Sequence, residues 1–221
     1  MKEAVAAARG IYVNTARLKD IEFSPTFHYV VHDAQGHSAV IEFVGGKLHV
    51  YDNPLGVVTN SPTFDWHQTN LRNFIHLSPD NAKPIVEAGE TLRGFGQGTG
   101  MWGLPGDFTP PSRFVRAVAF TQTAPPTDNA EQCVQQAFHI LNQFDLPRGA
   151  IREKDNGQVA DDFTNWTTAA DLKHLRYYFN TYKSRVIRMV DLNKLDLNAK
   201  SIKTISMGQD ETIEDLSKTV N

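Results

Sequence analysis

The stretch Asp52–Phe74, DNPLGVVTNSPTFDWHQTNLRNF, constrains the fold more than any other part of the chain. Asn53-Pro54 and Gly56 mark a tight turn. Val57-Val58-Thr59 follows as a β-branched run and predicts a short buried strand. Pro62 stops that strand, because proline has no N–H for a ladder and biases Ser61 away from helix. Phe64, Trp66, Leu71 and Phe74 then predict a helical segment. Asn60 is therefore expected at a strand end, in a polar break between two apolar elements. A side-chain amide placed there can donate hydrogen bonds into a cleft.

The 221 residues suffice for one large domain with a substantial core. With 40% hydrophobic and 21% charged residues, the composition is that of a folded rather than a disordered chain. Net charge is −3 and no Lys/Arg cluster stands out, which argues against a nucleic-acid or anionic-membrane surface. No apolar run approaches the ~20 residues of a membrane span. Ala4–Ala8 is too short for a secretory signal and is cut by Arg9-Gly10. A single cysteine, Cys133, rules out an intrachain disulfide. Cytoplasm and periplasm both remain open as the compartment.

Strands come first, then helices, then strands again. Lys2–Arg9 predicts a short helix and Ile11–Val13 a short strand. Phe27–His32, Ser38–Val44 and Lys47–Tyr51 predict an antiparallel meander turned at Ala34–His37 and Gly45-Gly46. Pro79–Gly94 reads as a loop with a short helix. Thr109-Pro110-Pro111 starts a helix through Phe114, Val115, Val118 and Ala119, ended by Pro125-Pro126. Thr127 or Asp128 is expected to cap a second helix, Ala130–Phe144, whose apolar stripe includes Cys133. Residues 145–162 read as loop. Phe163–Thr168, Leu175–Tyr182, Val186–Val190 and Ile202–Met207 read as strands. Residues 209–221 are polar, and a frayed tail is expected there. No linker divides the chain, so residues 1–221 are expected to form a single α+β domain.

Several residues invite a chemical reading. Gly98–Gly103, GTGMWG, matches G-x-G-x-x-G formally, but Leu104-Pro105-Gly106 follows where a dinucleotide site needs a helix. A tightly turned or mobile glycine loop beside a cleft is the better reading, and Trp102 within it is the candidate substrate-contacting aromatic. Trp66 and Trp166 are expected in the core. Cys133, on an apolar stripe, is expected to be a small buried hydrophobe rather than a nucleophile. No G-x-S-x-G elbow occurs. His28 and His32 share a strand face, yet no metal-ligand spacing is present, and neither a metal nor a cofactor is expected.

Two long blocks, NPLGVVTNSPTFDWHQTNLRNF and Gly96–Phe120, GQGTGMWGLPGDFTPPSRFVRAVAF, resemble the choloylglycine hydrolase family of bile salt hydrolases and penicillin V acylases. The likeness continues through Tyr177–Tyr182, YYFNTY. It implies the four-layer αββα sandwich of N-terminal nucleophile hydrolases, incomplete here at the N-terminus. It also implies a bacterial hydrolase acting on small non-peptide linear amides: conjugated bile salts, penicillin V or N-acyl homoserine lactones. In such a family an N-terminal cysteine attacks the amide carbonyl and its own α-amine serves as base. Asn60 matches the side chain that helps bind the oxyanion, and Arg113 the arginine beside the nucleophile's sulfur. Arg116 has a salt-bridge role as its plainer reading. The chain opens Met1-Lys2-Glu3, without the nucleophile segment. It therefore reads as the C-terminal part of a truncated or split gene product, inactive alone. Its expected partner is a complementing N-terminal segment or further copies of itself, as in the family's tetramers. The rival reading is a non-catalytic remnant that binds or assembles.

Overall fold

The computed structural model describes residues 1–13, 27–155, 157–208 and 210–219. They fall into two compact units, Met1–Pro125 and Pro126–Asn221.

The first unit opens with α1, Lys2–Ala8, and a three-stranded antiparallel sheet of β1, His28–His32, β2, Ser38–Val44, and β3, Lys47–Asp52. These strands match the meander expected from the sequence to within a residue. Gly45 and Gly46 turn β2 into β3 with φ of 57° and 76°, as a type I′ hairpin demands. The central strand is buried on both faces at Ala39, Val40, Ile41 and Glu42. Alternation sends Ala39 and Ile41 one way and Val40 and Glu42 the other. Ala39 and Val50 line a cavity of about 320 Å³ with Val5 and Ala6 of α1. Val40 joins Val57, Phe64, Phe114 and Val118 in the core of the unit. Phe64 opens α2, Phe64–Leu71; Phe114 and Val118 belong to α3, Pro110–Thr123. The Phe64 and Phe114 rings meet edge to face at 6.2 Å. Each buried phenyl contributes about 1.5–3 kcal/mol.

The start of α2 is fastened to the sheet. Glu42 Oε1 accepts the Phe64 backbone N–H at 2.9 Å and lies 2.6 Å from His28 Nδ1. Both side chains are almost wholly buried. One carboxyl group thus ties β1, β2 and a helix N-terminus together.

Local expectations failed in places. Val57–Thr59 forms no strand; Val57 is buried, but Thr59 turns its hydroxyl to the Pro110 carbonyl, 3.3 Å away. Ile11–Val13 is likewise not a strand. Residues 79–94 hold a hairpin, β4, Ile85–Glu87, and β5, Glu90–Leu92, in place of a short helix. Ala88 and Gly89 both take positive φ at its tip. Trp66 is 43% exposed rather than core. It lies two residues past the buried Phe64, about 200° round the helix.

The second unit opens with α4, Ala130–Leu141, extended by a 3₁₀ turn at Asn142–Phe144. Its cap is Asn129, one residue beyond the expected pair; Asn129 Oδ1 accepts the Gln132 N–H at 3.0 Å. Cys133 is exposed, contrary to expectation. It precedes the buried Phe138 by five residues, about 140° away round the helix, so the apolar stripe leaves it outside. Residues 151–162 form a hairpin, β6, Ile151–Asp155, and β7, Gln158–Asp162, where a loop was expected. Then come β8, Trp166–Asp171, β9, Arg176–Thr181, and β10, Ser184–Asp191, antiparallel with β9 central. The helix α4 packs against β8, and Phe138, Tyr178 and Phe179 are buried. Trp166 is 60% exposed because it opens an edge strand. Ile202–Met207 forms no strand. Of the expected tail, Glu211 donates its N–H to the Lys183 carbonyl at 3.0 Å and accepts that of Arg185 at 2.6 Å. Residues 209, 220 and 221 lie outside the described residues, as does Asn156.

Candidate active site

The site is built around the break between residues 59 and 63 and the first turn of α3. That turn starts as the sequence predicts, with Thr109 as N-cap and Pro110 and Pro111 in the first positions. Ahead of it stands Asp107, which sequence reasoning missed and which braces the turn through side chains. Its carboxylate accepts from the Ser112 hydroxyl at 2.6 Å and the Thr109 N–H at 2.9 Å. Those bonds, the one from Ser112 first, hold its pKa down at about 2. Arg116 is buried and donates through Nη1 to the Pro105 and Asp107 carbonyls, at 2.8 and 2.6 Å. The GLPGD loop is thereby pinned to α3.

Arg113, one turn into α3, faces Asn60. Its Nε donates to the Phe108 carbonyl at 3.1 Å, which fixes the guanidinium plane. Its Nη2 donates to Asn60 Oδ1 at 2.7 Å. A guanidinium can only donate, so the Asn60 amide must turn its oxygen toward Arg113 and its NH₂ away. The bond is charge-assisted and polarises the amide, strengthening its N–H groups as donors. Asn60 is exposed, so the outward NH₂ can meet a ligand.

His67 was not singled out from the sequence. It lies three residues past Phe64 on the inner face of α2 and is buried, its ring stacked on Phe114 at 4.9 Å. Burial lowers its pKa below the ordinary histidine value. Its Nε2 is 2.8 Å from the Asn60 carbonyl oxygen.

Trp102 stands on the glycine loop with 73% of its surface exposed. The contacts that join Asn60 to Arg113 do not include it. The loop is turned tightly. The Asn81 carboxamide oxygen accepts the Gly98 N–H at 2.7 Å, and the Ser78 N–H donates to the Gly100 carbonyl at 2.9 Å. A Cβ at Gly100 would fall 1.9 Å from the Asp80 carbonyl oxygen, so only glycine fits there.

Ser61, His28 and Glu42 also fall in line, with Ser61 Oγ 3.4 Å from His28 Nε2. Glu42, however, is engaged at the N-terminus of α2, which accounts for the buried pair. Among the described residues no group of three or more His, Cys, Asp or Glu is placed to hold a metal. Among them, too, no helix is long and apolar enough to cross a membrane.

Residues 1–205 match the family model for linear amide C-N hydrolases, choloylglycine hydrolase family. The chain belongs to the choloylglycine hydrolase family. Among curated members, a bile salt hydrolase/transferase of Clostridium perfringens is 38% identical over 197 residues, covering 87% of this chain and 59% of its own length. A crystal structure of a mutant conjugated bile acid hydrolase from the same organism superposes with a TM-score of 0.82 at 33% identity, covering 98% of this chain and 65% of that one. A penicillin V acylase from Agrobacterium tumefaciens shares the fold, with a TM-score of 0.63 at 23% identity. The fold is thus α+β and of the N-terminal nucleophile hydrolase type. The chain spans about three fifths of the length of the C. perfringens choloylglycine hydrolase family member.

Proposed function

We propose that this chain forms part of a cysteine-dependent hydrolase of non-peptide linear amides, with conjugated bile salts, penicillin V and N-acyl homoserine lactones as the substrate class. The observation that carries the reading is the Asn60 amide, held by Arg113 at 2.7 Å with its N–H groups turned outward. A thiolate adds to the substrate carbonyl and the oxygen gains negative charge, which the Asn60 N–H stabilises. The C–N bond breaks, the amine leaves with a proton from the nucleophile's α-ammonium group, and water releases the acid from the thioester. Arg113 fixes the donor, and its charge favours the thiolate. Trp102 supplies an aromatic wall for the acyl group.

The nucleophile in this reading is an N-terminal cysteine on a complementing segment, not Cys133, and the chain alone is inactive. The test is release of glycine or taurine from conjugated bile salts, by the chain alone and after mixing with a nucleophile-bearing N-terminal segment. Asn60→Ala should lower kcat of the mixture about 10²–10³-fold, as for loss of one oxyanion donor. Bile-salt binding without turnover in the mixture would instead favour a binding module.

A further inference from the structure

Asn60 is held at both ends. Arg113 takes the side chain, and His67 takes the main chain through the 2.8 Å contact from Nε2 to the Asn60 carbonyl. A carbonyl only accepts, so Nε2 carries the proton. The same N–H lies 3.2 Å from Thr59 Oγ1, whose hydroxyl donates to Pro110 at the start of α3. Residues 59 and 60 are therefore stitched to α2 on one side and to α3 on the other. Because Val57–Thr59 forms no strand, no ladder fixes the backbone that carries Asn60.

The choice of histidine is informative. Its Nδ1 is buried and, in this tautomer, meets no donor. Packing against Phe114 alone would be served as well by an apolar ring, without an unsatisfied nitrogen. The polar atom is kept for the bond that Nε2 makes. We propose that His67 is a positioning residue: by holding the Asn60 carbonyl it sets the direction in which the Asn60 amide meets the oxyanion. The proposal rests on the reading of Asn60 as oxyanion donor.

Two substitutions separate donation from packing. His67→Phe keeps a ring to stack on Phe114 and removes the donor. His67→Gln removes the ring and returns an N–H near the Nε2 position. Crystal structures of the 221-residue protein should keep the Arg113–Asn60 contact in the Gln variant and lose it in the Phe variant. In the complemented hydrolysis assay the Phe variant should lose about 10²-fold in kcat, the scale of a misplaced catalytic group, with KM little changed. The Gln variant should recover most of that loss. An unmoved Asn60 in the Phe variant, or a Gln variant as impaired as the Phe one, overturns the proposal. Should the Phe variant not fold, ¹⁵N spectra of the unsubstituted protein decide the matter: a proton on Nδ1 instead of Nε2 sinks it. If Asn60→Ala leaves kcat untouched, it is the site reading that fails, while the Asn60 geometry in the variants still judges His67.

Discussion

At position 113 the fold asks for two donors in one plane, one for the Phe108 carbonyl and one for Asn60 Oδ1. Lysine offers a single ammonium on a flexible stem and cannot reproduce the fork. Arg113→Lys should therefore lower kcat by about 10-fold or more, the equivalent of one charge-assisted hydrogen bond. Steady-state hydrolysis in the complemented assay measures it, and an unchanged kcat would mean that the guanidinium geometry is irrelevant. His67 gives a second prediction. Burial favours its neutral form, so its folded pKa lies below the unfolded value of about 6.5. Between those two values the unfolded chain binds more protons, and stability falls as pH drops. Urea midpoints should decline from about pH 6.5 downward in the native sequence, and less steeply in His67→Phe. Parallel pH profiles for the two proteins would refute a buried neutral imidazole. That Asn60 and Arg113 would meet was legible because they sit in long, distinctive blocks. His67 was not, because its partner is a backbone carbonyl, and the spelling of a sequence does not mark carbonyls.

Helices and hairpins were legible to different degrees. For α3 the signals are local and consistent: Thr109, two prolines and an apolar face of Phe114, Val115 and Val118. What the sequence did not disclose is that Asp107, two residues before the cap, accepts from the Thr109 N–H and the Ser112 hydroxyl. Its depressed pKa means that the folded state holds the carboxylate charged. That stabilisation is complete above the unfolded pKa of about 3.9 and is lost as pH falls toward about 2. Asp107→Ala should cost about 1 kcal/mol at neutral pH, the usual net scale of a lost hydrogen bond. Its thermal midpoint should also vary less than that of the native sequence between pH 4 and 2. Equal acid sensitivity in the two proteins would show that the Asp107 bonds carry no charge-dependent stability. The missed hairpins have another cause. The strands β4 and β5 are exposed along their whole length, so no alternation of apolar residues marks them. For β6 and β7 the Asn-Gly dipeptide is a turn signal, but the flanking residues are polar, so the segment reads as a loop rather than a hairpin. Val57–Thr59 errs the other way: Val57 is buried as expected, but a run of three with no neighbouring strand stays irregular.

At the scale of the molecule, the chemistry is unevenly distributed. Asn60, His67, Trp102 and Arg113 all belong to the unit Met1–Pro125, whereas the sole thiol, Cys133, belongs to the unit Pro126–Asn221. On the proposed reading, the amide that would bind the oxyanion and the cation beside it lie together in the first unit, whose sequence contains no cysteine. Exposure makes Cys133 chemically reachable, and a thiol reagent should modify it in the folded protein without denaturant. Reachability is not reactivity, and Cys133 belongs to a different unit from Asn60 and Arg113. Cys133→Ser should accordingly leave the complemented hydrolase within about twofold of its original kcat, as expected of a surface exchange. Alkylating Cys133 before the segments are mixed should be just as silent, whereas alkylating the partner segment should abolish turnover. The opposite pattern, with activity lost from Cys133→Ser and present without any partner, would move the nucleophile into the second unit. The Asn60–Arg113 pair would then be a structural clamp rather than half of a reaction centre.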